Sequence, residues 1–355
     1  MPDHPTRRQR ALLLVLRAAV VVGLMVLLAR LIHPGDLARA RVLVGQMRWT
    51  LALVLLPTLI AMSIDALGWR MILRTLGHRV RWRRMLELRL SVEAIVLAMP
   101  GGSVAGEAAK VALLERRAEV PLAAGAASLA LTKLQLIASD ALYMLVAGIA
   151  VGFLDGPWQL NLPAKLAFGG AALTAAVTVV LASLLHRSRS GSWLARVIAR
   201  LPSAPIRAWM ERRRARFEEL DVATRRHFDA SRAERLACFL PFLAEWLIEG
   251  AETWLILRCV GTSLSLGQTL ALDGVGSLLR AIVIFVPAGI GIQDATQLML
   301  MRELNVSDPI ATGAAFIFIK RTKEVFWIVI GSLFLAVRRD LWRRKLPSPG
   351  TTPSK

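Results

Sequence analysis

Residues that commonly carry catalysis are scarce in this sequence. Two cysteines, Cys238 and Cys259, occur in 355 residues. They sit at opposite ends of one apolar run, which a helix holds about 30 Å apart, too far for a disulfide. The absence of any CxxC knuckle or cysteine-rich framework excludes a disulfide scaffold and a zinc-ribbon type of site. The five histidines, His4, His33, His78, His186 and His227, fall in the tail or between apolar runs, and no HExxH, GxSxG or DxD pattern is present. Beside the basic stretches there is no RNP, zinc-finger or helix-turn-helix pattern, so the formal charge of +20 is not read as nucleic-acid binding. An enzyme is not expected, and neither a cofactor nor a metal.

What the chain has in abundance is apolar length. Hydrophobic residues make up 55% of it and mean hydropathy is +0.53, more than a soluble domain of this size carries. About 20 apolar residues in a helix cross a hydrocarbon core of about 30 Å. Full spans are expected at 11–32, 49–67, 121–151, 163–185, 236–258 and 309–337. The N-terminal Arg7-Arg8-Gln9-Arg10 and following apolar run read as a retained first span, because the run is longer than a signal-peptide core. Two further apolar segments are interrupted. Glu87 to Leu114 is broken by Pro100-Gly101-Gly102, and Gln268 to Met301 by Pro287-Ala288-Gly289-Ile290-Gly291.

Charge decides how the broken segments sit. Arg70, Arg74, Arg79, Arg81, Arg83 and Arg84 precede the first, and Arg116 and Arg117 follow it. Basic flanks favour the cytoplasm, so this segment is expected to enter and leave on one side. With both segments re-entrant, the Arg-rich 186–235 loop, the C-terminal Arg338, Arg339, Arg343, Arg344 and Lys345, and both termini fall in the cytoplasm of a bacterial inner-membrane protein. The Arg-poor loops 152–162 and 259–267 fall outside, and so, against the rule, do Arg39, Arg41 and Arg48. The resulting fold class is an all-α polytopic membrane protein with an inverted structural repeat. Its parts are a first membrane half (1–162, re-entrant segment 87–117), a span with a basic loop (163–235), a second half (236–337, re-entrant segment 268–305) and a basic tail (338–355). The basic loop has amphipathic character, as in Trp193-Leu194-Ala195-Arg196-Val197-Ile198, and is expected to lie on anionic lipid head groups.

The two broken segments match at a shift of 187 positions. Pro100 meets Pro287, Gly102 meets Gly289, Glu107 meets Asp294, and the register continues without a gap until Lys133 meets Lys320. An odd number of crossings separates the copies, so they are inverted, an arrangement many secondary transporters share. A half-helix starting after Gly102 aims its amides, with about +0.5 charge, at the interior. The alternative is a kink satisfied by neighbouring helices.

Charge within the spans is dense. Lys133 lies about 18 Å and Lys320 about 16 Å into their spans. Asp140 shares a face with Lys133, Arg321 and Glu324 follow Lys320, and Glu245, Glu249 and Glu252 form one acidic stripe. Glu93, Glu107, Lys110, Arg280 and Asp294 border the breaks. Each central charge costs about 2.5–3.5 kcal/mol on insertion scales. Individually, Lys133–Asp140 and Lys320–Glu324 are readable as structural ion pairs. Together the charges point to a polar cavity, with Lys133 and Lys320 lining it. Candidate substrate contacts are therefore Gly101, Gly102, Glu107, Lys110, Lys133, Asp140, Glu245, Glu249, Gly289, Gly291, Asp294, Lys320, Arg321 and Glu324.

Met99-Pro100-Gly101-Gly102-Ser103-Val104-Ala105-Gly106-Glu107-Ala108-Ala109-Lys110 and Val286-Pro287-Ala288-Gly289-Ile290-Gly291-Ile292-Gln293-Asp294 resemble the two signatures of the flippase-like family that includes the transmembrane part of lysylphosphatidylglycerol synthases. The resemblance implies a flippase domain with two inverted re-entrant elements, and roles for Glu107 and Lys110. Asp294 stands where the second motif customarily has Glu, and Ala288 where it has Gly. Bifunctional members continue into a cytosolic aminoacyl-transferase domain, so with the sequence ending at Lys355 synthase activity is not expected. Size and character also resemble the branch associated with hopanoid biosynthesis. Three functions follow as expectations: a lipid flippase, a membrane enzyme modifying a lipid head group, or a scaffold for lipid synthesis. The missing catalytic constellation counts against the second and the buried charges against the third.

Overall fold

The structure, a computed structural model, describes residues 50–98, 102–154, 161–186, 214–282 and 292–337, with Val42 and Gly45. Among these residues there is no strand. After a short turn at Thr50–Leu53 come α1 (Leu55–Thr75), α2 (Trp82–Ala98), α3 (Gly102–Ala118), α4 (Leu122–Ile149, continued by a π turn to Leu154), α5 (Leu162–His186), α6 (Arg214–Asp229), α7 (Arg232–Cys259), α8 (Leu266–Ile282), α9 (Ile292–Glu303) and α10 (Pro309–Val337). The expected span at 11–32, the Trp193–Ile198 stretch and the C-terminal basic cluster lie outside the described residues, as do Gly101, Gly289 and Gly291.

Among the described residues three helices are long and apolar enough to cross a membrane: α1, α4 with its π turn, and α5. α7 and α10 have comparable lengths of 28 and 29 residues but carry several charges each. The expected 49–67 span is displaced to Leu55–Thr75. Hydropathy falls at Arg70, but the helix does not, because Arg is a good helix former and its Nε donates to the Val80 carbonyl at 3.0 Å. α7 starts on a capping box, Ser231 and Glu234 exchanging side-chain and backbone bonds.

The helices on either side of each break pack on each other. A Cβ on Gly102 would come within 2.2 Å of the Val96 carbonyl oxygen, so only glycine lets α3 start this close to α2. Gly106 then meets Val96 and Val92, so contacts run backward along α2 as α3 advances, and the pair is antiparallel. In the second pair Gly276 of α8 lies against Gln293 and Gln297 of α9.

The halves interleave: α1 packs on α7, α2 on α10, and α4 on both α7 and α8. α1 and α7 approach closely at Gly68, where a Cβ would meet the Phe242 ring at 2.8 Å. Phe242 joins Ile72, Leu131, Leu134 and Cys238 in one buried cluster. A second cluster ties Met144 and Ala171 to Ile256, Leu272, Phe316 and neighbours. Within the basic 186–235 stretch, α6 packs on the bundle through Leu220, Ala223 and Phe228. His227 is buried there with its Nδ1 2.8 Å from the Thr75 hydroxyl, and Arg226 donates to the Leu76 carbonyl.

Candidate functional site: a charged cleft between interleaved helices

Six helices, α1, α2, α7, α8, α9 and α10, surround a cleft with about 700 Å³ of open space. Its charged lining consists of Glu93, Glu245, Glu249, Glu252, Asp273 and Glu324 against Arg89, Lys320 and Lys323. Thr58, Ser277, Gln293 and Trp327 complete the polar edge.

Asp273 gathers donors from three helices. It is buried on α8 and accepts from Thr253 Oγ1 of α7 at 2.6 Å, Tyr143 Oη of α4 at 3.2 Å and Lys320 Nζ of α10 at 3.3 Å. Glu252 accepts from Thr58 Oγ1 at 2.5 Å and pairs with Lys323. Arg321 bridges Asp294 and Glu324, each at 2.7 Å. Lys320 also stands over the Phe316 ring, 5.0 Å from its centroid.

A second charged cluster lies at α1–α4. Arg89 bridges Asp65 and Glu93. Glu107 takes Lys133 at 2.5 Å and Lys110 at 3.5 Å. Lys110 sits over Trp69, 5.8 Å from the ring centroid, and Trp69 Nε1 donates to Ser128 Oγ at 3.1 Å.

Of the expected site residues, Glu245, Glu249, Lys320 and Glu324 line the cleft, with Arg321 and Asp294 paired at its edge. Glu107, Lys110 and Lys133 are brought together in the other cluster, and Lys133 is not among the cleft's lining residues. Gly102 is buried at the α2–α3 junction. Asp140 is buried on α4. The two ion pairs readable from spacing are replaced by others: Lys133 takes Glu107 rather than Asp140, and Lys320 takes Asp273 while Glu324 takes Arg321. Arg280 belongs to α8 by its backbone.

Asp65, Arg89, Asp273 and Lys323 were not singled out from the sequence. Asp65 had a usable signal, because the shift of 187 carries it onto Glu252. The same shift relates Glu107 to Asp294, and both pair with a base on the long helix that follows. The partner moves by one residue, from the Lys133 position to Arg321 rather than Lys320. Asp273 gave no pattern, since its partners come from three helices far apart in sequence.

A helical protein with apolar spans and a charged interior is a membrane protein, and its intramembrane charges mark the candidate site. The sequence model of the lysylphosphatidylglycerol synthase TM region matches residues 14–322, and the chain belongs to that family. This places it among membrane proteins of lipid metabolism or transport. No curated protein and no solved structure gives a match.

Proposed function

We propose that this protein is a flippase or transporter that moves a lipid or lipid-linked molecule, a phospholipid or a hopanoid, across a bacterial inner membrane, without itself catalysing a chemical change. The cleft carries this reading. A polar head group in hydrocarbon loses its hydration at several kcal/mol for each unsatisfied group. Lys320 and Lys323 offer donors, and Glu245, Glu249 and Asp273 offer acceptors, so a head group bearing both kinds finds replacements for water. Tails stay among the exposed apolar side chains of the helix exteriors, such as Val179, Val180, Val325 and Leu333.

In this reading the paired helices α2–α3 and α8–α9 are re-entrant elements of an inverted repeat. The recurring order supports it: a long helix, a packed pair and a long helix, α1 to α4 and again α7 to α10. Alternating access then comes from one repeat rocking against the other. Both termini and residues 186–235 face the cytoplasm, where the basic loop meets anionic lipid head groups. Reconstitution with fluorescent phospholipid, followed by quenching from outside, tests the function. Transport is expected from the wild-type protein and lost in the folded Lys133→Met/Lys320→Met double variant. Undiminished movement in that variant would place the route elsewhere.

A further inference from the structure

Acids outnumber bases two to one in the cleft lining, and a buried charge without a counterion is too costly to persist. The geometry singles out the carboxyls without one. Asp140 and Glu245 are 6% and 7% exposed. Each has a carboxyl oxygen sealed from solvent with no hydrogen-bond partner. Among the described residues neither forms an ion pair, although Lys133 is only seven residues from Asp140 and bonds to Glu107 instead. Asp140 lies near the middle of the apolar stretch Leu122–Phe153.

We propose that Asp140 and Glu245 are proton-binding carboxyls, and that movement of substrate through the cleft is coupled to protons passing by them. The coupling rests on the transport reading above; the proton binding does not. Asp140 faces Asp273 of α8 and Glu249 of α7, with Tyr143 one turn along its own helix. Glu245 faces Asp65 of α1, Arg89 of α2, Lys110 of α3 and, on its own helix, Glu249. α5 packs on α4 but carries charge only near its ends, at Lys165 and His186. α6 joins α4 around Ala127, Leu131 and Leu134, a turn or more before Asp140.

Glu245 and Glu249 both line the cleft, one turn apart on α7, and Asp140, outside that lining, faces Glu249 from α4, so the α7 carboxylates connect it to the cleft. Each carboxylate takes one proton from water on the side to which the cleft is open and returns it on the other. Tyr143 donates to Asp273, which also holds Lys320. Loss of the Asp140 proton sets a second negative charge beside Asp273. That charge pulls on Lys320, a cation facing the substrate. Chains of buried acids serve as proton relays in membrane transporters generally.

Infrared spectroscopy of the protein in lipid reads the protons directly. Asp140→Asn and Glu245→Gln keep the shape of the protonated acid. A protonated-carboxyl carbonyl band is expected at neutral pH, partly lost in each variant and further in the double variant. A wild-type spectrum without it, or a band unchanged in the double variant, overturns the proposal. In vesicles carrying fluorescent phospholipid, an imposed pH gradient is expected to change wild-type movement several-fold and to leave the double variant's rate the same in either gradient. Wild-type movement indifferent to the gradient overturns the coupling. Wild-type protein that moves no lipid but shows the band refutes the transport reading and upholds the proton sites.

Discussion

In the first half of the chain Asp65, Glu93 and Glu107 meet Arg89, Lys110 and Lys133, acid for base. In the second half Glu245, Glu249, Glu252, Asp273, Asp294 and Glu324 stand with Lys320, Arg321 and Lys323, two acids to each base. The first arrangement is balanced and ties α1 to α2 and α3 to α4. Arg89 and Glu93 of the first reach the cleft as well, but seven of the nine charges in the second border its open space. Balanced charge in an apolar setting holds helices together, whereas a surplus of one sign calls for something of the opposite sign to arrive. In the transport reading proposed above, the first cluster has the structural part and the second the working part.

The sharpest way to break that assignment is at Asp273. Asp273→Ala leaves Lys320 without its carboxylate and removes the acceptor used by Tyr143 and Thr253. A loss of about 3–5 kcal/mol is expected from breaking a buried pair, read as a lower thermal midpoint in detergent, together with lost transport. A fully stable variant would remove Asp273 from the centre of the cleft.

Single replacements separate the two clusters next. Lys320→Met is expected to slow lipid movement on the order of tenfold or more, the size of one lost charged hydrogen bond. Lys133→Met should act mainly on stability, with a smaller effect on rate. The reverse order in reconstituted vesicles would move the substrate route to the first cluster.

Gly68→Leu tests whether the clusters depend on close approach of α1 and α7. Overpacking against Phe242 is expected to cost about 1–3 kcal/mol, with transport impaired because Thr58 and Glu252 are drawn apart. Normal stability and transport would show that the interface has room to adjust.

The smallest effect is expected at His227, which fastens α6 to the end of α1, away from the cleft. Burial, with Arg235 adding repulsion, lowers its pKa from 6.5 to about 4. The folded state therefore favours the neutral ring, and the unfolded chain binds the proton first. His227's contribution is complete above about pH 6.5 and falls away as pH drops toward 4. His227→Gln should flatten the stability profile between those values and leave transport at pH 7 nearly intact; an unchanged profile would argue against a buried neutral ring.

Helices were easier to read from the sequence than their partners. α10 begins and ends where hydropathy places it, at Pro309 and Val337, and α5 agrees within a residue at each end. α1 was displaced because hydropathy marks lipid-facing character, while the helix continues through Arg70 and Arg74. The acidic stripe on α7 was legible from spacing, and two of its members, Glu245 and Glu252, are buried. The partners of Lys133 and Lys320 were not legible. Spacing along one helix proposed Asp140 and Glu324, but neighbouring helices supplied Glu107 and Asp273. Periodicity reports which side chains share a face and is silent on what a second helix brings to it.

The ion pairs also differ in how long the growing chain must wait to complete them. Asp65 and Arg89 are 24 residues apart, so this pair is available soon after α2 is made. Glu252 lies 71 residues before Lys323, and Thr58 lies 194 residues before its acceptor Glu252. Since domains form from the N-terminus as synthesis proceeds, the first cluster can neutralise itself early. The acids of α7 enter the membrane with their cations still in the ribosome. Until α10 is made Glu252 lacks the Lys323 it pairs with, and truncation before α10 leaves a chain whose second half cannot settle its charge.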